Sequence, residues 1–154
     1  LRNAIMFHDL AAIREVIATG EKLDWDGEDF VRLAVEQNFI EAVELILQQG
    51  ANVNCRTGSN SPIAEAAIEG HVDIIKLLLR HGASPNPKDD SEDAPVALAA
   101  QNGHFDAMKA LIQGGADVNG VFDPNSWGYT SLHSAAEKVR YYSLSRPISS
   151  KNEI

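Results

Sequence analysis

The sequence predicts an all-α fold: a solenoid of stacked helix-turn-helix units joined by β-hairpin-like loops. Three observations carry that prediction. The first is self-similarity: EGHVDIIKLLLRHGASPN at 69–86 returns 33 residues later as NGHFDAMKALIQGGADVN, with eight of 18 positions identical. A fixed period of about 20 to 50 residues marks a repeat architecture. The second is helical periodicity within each copy, with apolar residues at Ile74, Ile75, Leu77, Leu78 and Leu79 in one and at Val43, Leu45, Ile46 and Leu47 in another. The third is composition. Of 154 residues 44% are hydrophobic but only 6% aromatic, so the core must be aliphatic and alanine-rich, which suits closely stacked helices.

The units follow in order. A weaker copy, FHDLAAIREVIATGEKLD, spans 7–24, and QNFIEAVELILQQGANVN spans 37–54. The glycines that close the four copies, Gly20, Gly50, Gly82 and Gly115, are spaced 30, 32 and 33 residues apart. Ahead of each copy lies a shorter helical stretch: LRNAIM, FVRLAVE, SPIAEAAIE and APVALAAQ. A fifth, TSLHSAAEK, occupies 130–138. Each unit therefore reads short helix, turn, longer helix, loop. Gly70 and Gly103 stand where the first helix ends and a positive φ is needed, and Asn38, the next best residue for that conformation, holds the place in the second unit. Alanine pairs such as Ala66-Ala67, Ala99-Ala100 and Ala135-Ala136 let first helices approach closely. No unit could bury its apolar face alone, and stacking buries it.

These units set the expected boundaries. Residues 1–142 form a single domain, with units at about 1–24, 25–54, 55–86 and 87–119 and a partial one at 120–142. Residues 143–154 are expected to be an irregular tail or cap, because VRYYSLSRPISSKNEI lacks the turn and the leucine-rich second helix, and Pro147 opposes one. The loop after the first unit is short, and that between Asn119 and Tyr129 is lengthened. Since the pattern is already under way at Leu1, a piece of a longer protein is expected.

Charge and chemistry narrow the function. The formal charge is −9, unevenly spread: residues 1–137 carry nine Lys/Arg against 21 Asp/Glu, and residues 138–154 four against one. An acidic body disfavours nucleic acid. No apolar run approaches the roughly 18 residues of a membrane span. The single cysteine, Cys55, and the lack of a visible signal segment point to a reducing, intracellular and cytoplasmic setting. His71 and His104 recur because the unit recurs, and the histidine spacings of a metal site are absent. Phosphate-loop, dinucleotide and nucleophile-elbow motifs are absent as well. The expectation is no enzyme, no cofactor and no metal.

In SPIAEAAIEGHVDIIKLLLRHGASPN, APVALAAQNGHFDAMKALIQGGADVN and YTSLHSAAE the units resemble ankyrin repeats, over roughly residues 1–138. The resemblance implies a non-catalytic protein-binding module, a monomer, whose partner lies along a concave face built from loop fingertips and the exposed side of each first helix. An alternative is a regulatory or targeting module acting on an enzyme domain elsewhere in a longer chain. By position, the resemblance nominates Asn60, Glu69, Asp89, Asp90, Glu92, Asp93, Gln101, Asn102, Trp127 and Tyr129. The acidic finger KDDSED would steer a basic peptide or patch, and Trp127 with Tyr129 would act as interface anchors. It also raises enzymatic hydroxylation of Asn54, Asn86 or Asn119 in an animal cell, against a role in which the asparagine caps the β-turn by side-chain hydrogen bonds.

Overall fold

The structure, a computed structural model, describes residues 1–19, 30–56, 60–87 and 93–118. Within them lie four pairs of helices, and no strand occurs among the described residues. The first helices are α1 (Arg2–Met6), α3 (Phe30–Glu36), α5 (Pro62–Glu69) and α7 (Pro95–Asn102). The second helices are α2 (Leu10–Ala18), α4 (Ile40–Gln48), α6 (Val72–Arg80) and α8 (Phe105–Gln113). Each first helix packs on its own second helix, first helices pack side by side in chain order, and so do second helices. The result is two layers running the length of the stack. The fingertips at 57–59 and 88–92, the partial fifth unit and the tail lie outside the described residues.

Local chemistry sets where each helix starts and stops. Pro62 and Pro95 stand at the openings of α5 and α7, where the missing N–H would have had no helical partner. Asp9 caps α2 by accepting the Ala12 N–H at 3.0 Å. In α6, Asp73 in the first turn and Arg80 in the last complement the helix dipole.

Every first helix ends in the same way. The residue in the left-handed conformation is His8, Asn38, Gly70 or Gly103, with φ of 54°, 51°, 73° and 78°. The following N–H reaches back to a helix carbonyl: Asp9 to Ala4, Phe39 to Ala34, His71 to Ala66 and His104 to Ala99, at 2.8–2.9 Å. This is the Schellman closure, which satisfies carbonyls that the helix end would otherwise orphan. α4, α6 and α8 close likewise through their Gly-Ala pairs, as where Ala83 N–H donates to the Leu78 carbonyl at 2.9 Å. The alanine of each pair, Ala51, Ala83 or Ala116, is buried.

The core lies between the layers. Ala34, Ala64, Ala66, Ala67, Ala97, Ala99 and Ala100 are fully buried, as are Ile46, Ile75 and Leu78 on the facing helices. Small side chains on one layer and branched aliphatics on the other satisfy close packing without aromatic bulk. Phe30 and Phe39 are the aromatic members of the described core.

Candidate partner-binding surface

The shared turn puts the four first helices in one register. The two residues before each left-handed position form a row across the stack: Met6-Phe7, Glu36-Gln37, Ile68-Glu69 and Gln101-Asn102. The residues three and four positions before that turn face inward: Ile5, Ala34, Val35, Ala66, Ala67, Ala99 and Ala100 are sealed and Ala4 is partly buried, whereas the row is open. Phe7, Glu69 and Asn102 are exposed, and Glu36, Gln37, Ile68 and Gln101 partly so. Helical geometry thus divides each short helix into a packing side and a presenting side.

Carboxylates dominate the middle of this row. On α3, Arg32 and Glu36 form an i,i+4 ion pair. On α5, Glu65 and Glu69 share a side at the same spacing. Asn60 donates its amide to Glu65 at 3.4 Å, which joins the loop ahead of α5 to the helix. Asn102 donates its side-chain amide to the Leu98 carbonyl of its own helix at 2.9 Å. Asp93 is exposed at the entrance to α7. Of the expected site residues, the structure therefore brings Asn60, Glu69, Gln101 and Asn102 to one side of the first-helix layer. Asp89, Asp90, Glu92, Trp127 and Tyr129 lie outside the described residues. Met6 and Phe7 were missed by reading the sequence alone. Aligning LRNAIMFHD on FVRLAVEQNF through the turn residue would have placed them in the row.

Asn54 and Asn86 cap turns through their side chains, and the turns belong to the following unit. Asn54 accepts the Ser84 N–H at 2.9 Å and donates to the Gly82 carbonyl at 3.2 Å. Asn86 repeats this one unit on, accepting from the Asp117 N–H at 2.7 Å and donating to the Gly115 carbonyl at 3.2 Å. Each side chain reaches across to the closing turn of the next unit, not to its own. The two bonds suit a primary amide, which offers a donor and an acceptor from one planar group.

The histidines also work between units. His8 stacks on Phe39, with centroids 4.6 Å apart, and its Nε2 lies 2.9 Å from the Gln37 carbonyl. The His104 ring covers Gly70 so closely that an added Cβ there would sit 2.6 Å from Nδ1. His71 keeps Nε2 buried without a hydrogen-bond partner among the described residues. Burial holds its imidazole below the usual value, the Glu69 carboxylate pulls the other way, and His104 adds to the lowering. No group of three or more His, Cys, Asp or Glu is placed to hold a metal among the described residues. On the opposite layer a shallow cavity of about 650 Å³ is lined by Ile40, Lys76, Leu79 and Arg80 among others. No helix among the described residues is long and apolar enough to cross a membrane.

Two layers of helices in fixed register, with one sealed side and one presenting side, define a stacked-repeat interaction scaffold. The chain belongs to the ankyrin-repeat family: a family model described as "Ankyrin repeats (3 copies)" matches residues 1–89 and again 63–146. Ankyrin repeats are in general protein–protein interaction modules. Among curated proteins, the chain is similar to the Ankyrin repeat and KH domain-containing protein mask-1 of Caenorhabditis elegans, with 34% identity over 94 residues. That match covers 58% of this chain and 4% of the relative. The E3 ubiquitin-protein ligase hecd-1 of the same organism is 33% identical over 94 residues, again 58% of this chain and 4% of the relative. The mouse Ankyrin repeat and SOCS box protein 16 is 26% identical over 96 residues, 53% of this chain and 21% of that protein. The chain thus spans a small part of the curated relatives it matches.

Proposed function

We propose that this chain is a non-catalytic module that binds a protein partner across the presenting side of its first helices and the adjoining loop tips. The observation that carries this reading is the in-register row from Met6 to Asn102, open on every described unit while the opposite side of each helix is sealed. Its charge points to a partner with a basic patch or peptide, since Glu65 and Glu69 line the row and Asp93 flanks it. Such a field raises association rate and selectivity more than it deepens affinity. The single cysteine supports an intracellular setting.

Affinity capture from cell lysate tests the reading with three folded baits: wild type, Glu65→Gln/Glu69→Gln/Gln101→Ala, and Lys76→Ala/Arg80→Ala on the opposite layer. A partner lost only with the first-helix variant supports the proposal. A partner held equally by that variant, or lost only with the second-layer variant, refutes it. A second reading, a regulatory or targeting module for an enzyme domain in a longer chain, is favoured by one observation. Relatives include a ubiquitin ligase and a 2-5A-dependent ribonuclease, of which the matched segments make up 4% and 7%.

A further inference from the structure

Phe7 is 81% exposed and Met6 45% exposed, although Ile5 beside them is fully buried. Standing at the Leu1 end of the described stack is not the only reason. In the third unit, which has a described neighbour on each side, the equivalent Glu69 is exposed and Ile68 partly so. The exposure follows from the direction of the row, which in the first unit carries apolar side chains. Nor does Phe7 hang on a loose end. The next residue, His8, is held against the second unit by its ring contact with Phe39 and its hydrogen bond to the Gln37 carbonyl.

Further along the row the charges are unequal in availability. Glu36 is engaged by Arg32. Glu65 and Glu69 meet no cation among the described residues, and the partly exposed Ile68 lies between them in sequence. The row therefore offers an apolar step on the first unit, a neutralised second unit, and a carboxylate pair on the third. Packed helices lie about 8–10 Å apart, so two unit steps span roughly 16–20 Å. An extended chain rises about 3.3 Å per residue and covers that span in about five or six residues.

We infer that the row binds an extended cationic segment of a partner protein, with an apolar side chain on Met6 and Phe7 and, about six residues away, a lysine or arginine on Glu65 and Glu69. This rests on the proposed function and adds the partner's chemistry and register. The cation gains two carboxylates already gathered on one helix side, and the apolar residue covers surface that water otherwise wets. Spacing supplies the selectivity, because a segment with the same residues at shorter separation satisfies only one of the two contacts.

The test uses the whole 154-residue chain and a fluorescein-labelled peptide, Leu-Leu-Ser-Gly-Ser-Gly-Arg-Arg, read by anisotropy at low salt. Two further peptides carry Ser-Ser for Leu-Leu, or lack the four-residue spacer. Met6→Ser/Phe7→Ser alters exposed side chains only, and circular dichroism checks its fold. It should weaken the first peptide about tenfold, as expected for losing most of an aromatic contact. It should leave the Ser-Ser peptide unchanged. Glu65→Gln/Glu69→Gln should weaken both, with a reduced salt dependence, and the spacer-deleted peptide should bind about tenfold less well than the first. Equal binding of the first peptide to Met6→Ser/Phe7→Ser and wild type, indifference to the spacer, or no binding at all overturns the inference. A captured natural partner that is lost with the carboxylate variant but held by Met6→Ser/Phe7→Ser leaves the broader reading standing and removes this one.

Discussion

Replacing Asn86 by alanine should loosen the junction between the third and fourth units. The side chain makes two hydrogen bonds across it, to the Gly115 carbonyl at 3.2 Å and from the Asp117 N–H at 2.7 Å. A typical hydrogen bond contributes a net of about 0.5–1.5 kcal/mol, so the pair bounds the loss at about 1–3 kcal/mol. Both Asn86 and Asp117 keep some access to water, which can take over part of the pairing, so the lower part of that range, about 1–1.5 kcal/mol, is expected. For a domain of about this size that corresponds to a melting temperature lower by roughly 2–6 °C. Asn86→Asp separates the two bonds. It retains the acceptor for the Asp117 N–H but sets a carboxylate against the Gly115 carbonyl, so it should cost at least as much as alanine at neutral pH. Urea unfolding gives the energies, and hydrogen exchange at the Asp117 amide locates them. A loss below about 0.3 kcal/mol with unchanged exchange at Asp117 would show that water replaces the side chain at no cost, and the cross-unit role would fall. Asn54→Ala, with matching bonds at 3.2 and 2.9 Å, should give a similar figure, and because Ser84 is hydrogen-bonded to both asparagines the two losses should depart from additivity.

Other outcomes follow from the same geometry. Gly70→Ala forces an L-residue to φ +73° and drives its Cβ into the His104 ring, whereas Gly82→Ala meets only the backbone term, at φ +86° with nothing within 4 Å. The backbone term is about 1–2 kcal/mol in each, so chemical denaturation should show Gly70→Ala to be the worse, and equal losses would remove His104 from the account. His71 has a folded pKa below its free value of 6.5, which means that the native state favours the neutral ring. Its contribution is complete above about pH 6.5 and is lost as pH falls below that value, so wild-type urea midpoints should drop below about pH 6.5 more steeply than those of His71→Gln. Parallel profiles would exclude this histidine as the cause. Hydrogen exchange across the chain should be slowest within 62–112, where the helices of the third and fourth units pack most extensively on one another, and uniform protection to Ile154 would contradict one-dimensional stacking.

Much of this architecture was legible because repetition converts weak local signals into strong ones. One Gly-His pair says little, whereas the same pair recurring at the same offset fixed the ends of α5 and α7, and Asn38 in that place was recognisable as glycine's nearest substitute. His8 was not. Histidine is a poor candidate for a left-handed residue until the Phe39 ring and the Gln37 carbonyl that hold it are visible, and those partners lie 29 or more residues away. The asparagines were legible as polar turn residues, but not as cross-unit ties, because the sequence cannot say which of two turns a side chain reaches. On the presenting row, Glu69, Gln101 and Asn102 followed from position alone. Met6 and Phe7 did not, since an apolar pair at the end of a short helix reads as core until its register is known.

The four left-handed turns also carry an order of assembly. Gly70 and Gly103 enter that conformation at little cost, so the third and fourth units can close their first helices from local sequence alone. His8 cannot, because its support comes from Phe39 and Gln37 of the second unit. The first unit should therefore gain its turn after its neighbour is in place, which predicts growth of the described stack toward Leu1. Refolding would then show the Leu1 end acquiring protection last, with His8→Gly shortening that delay.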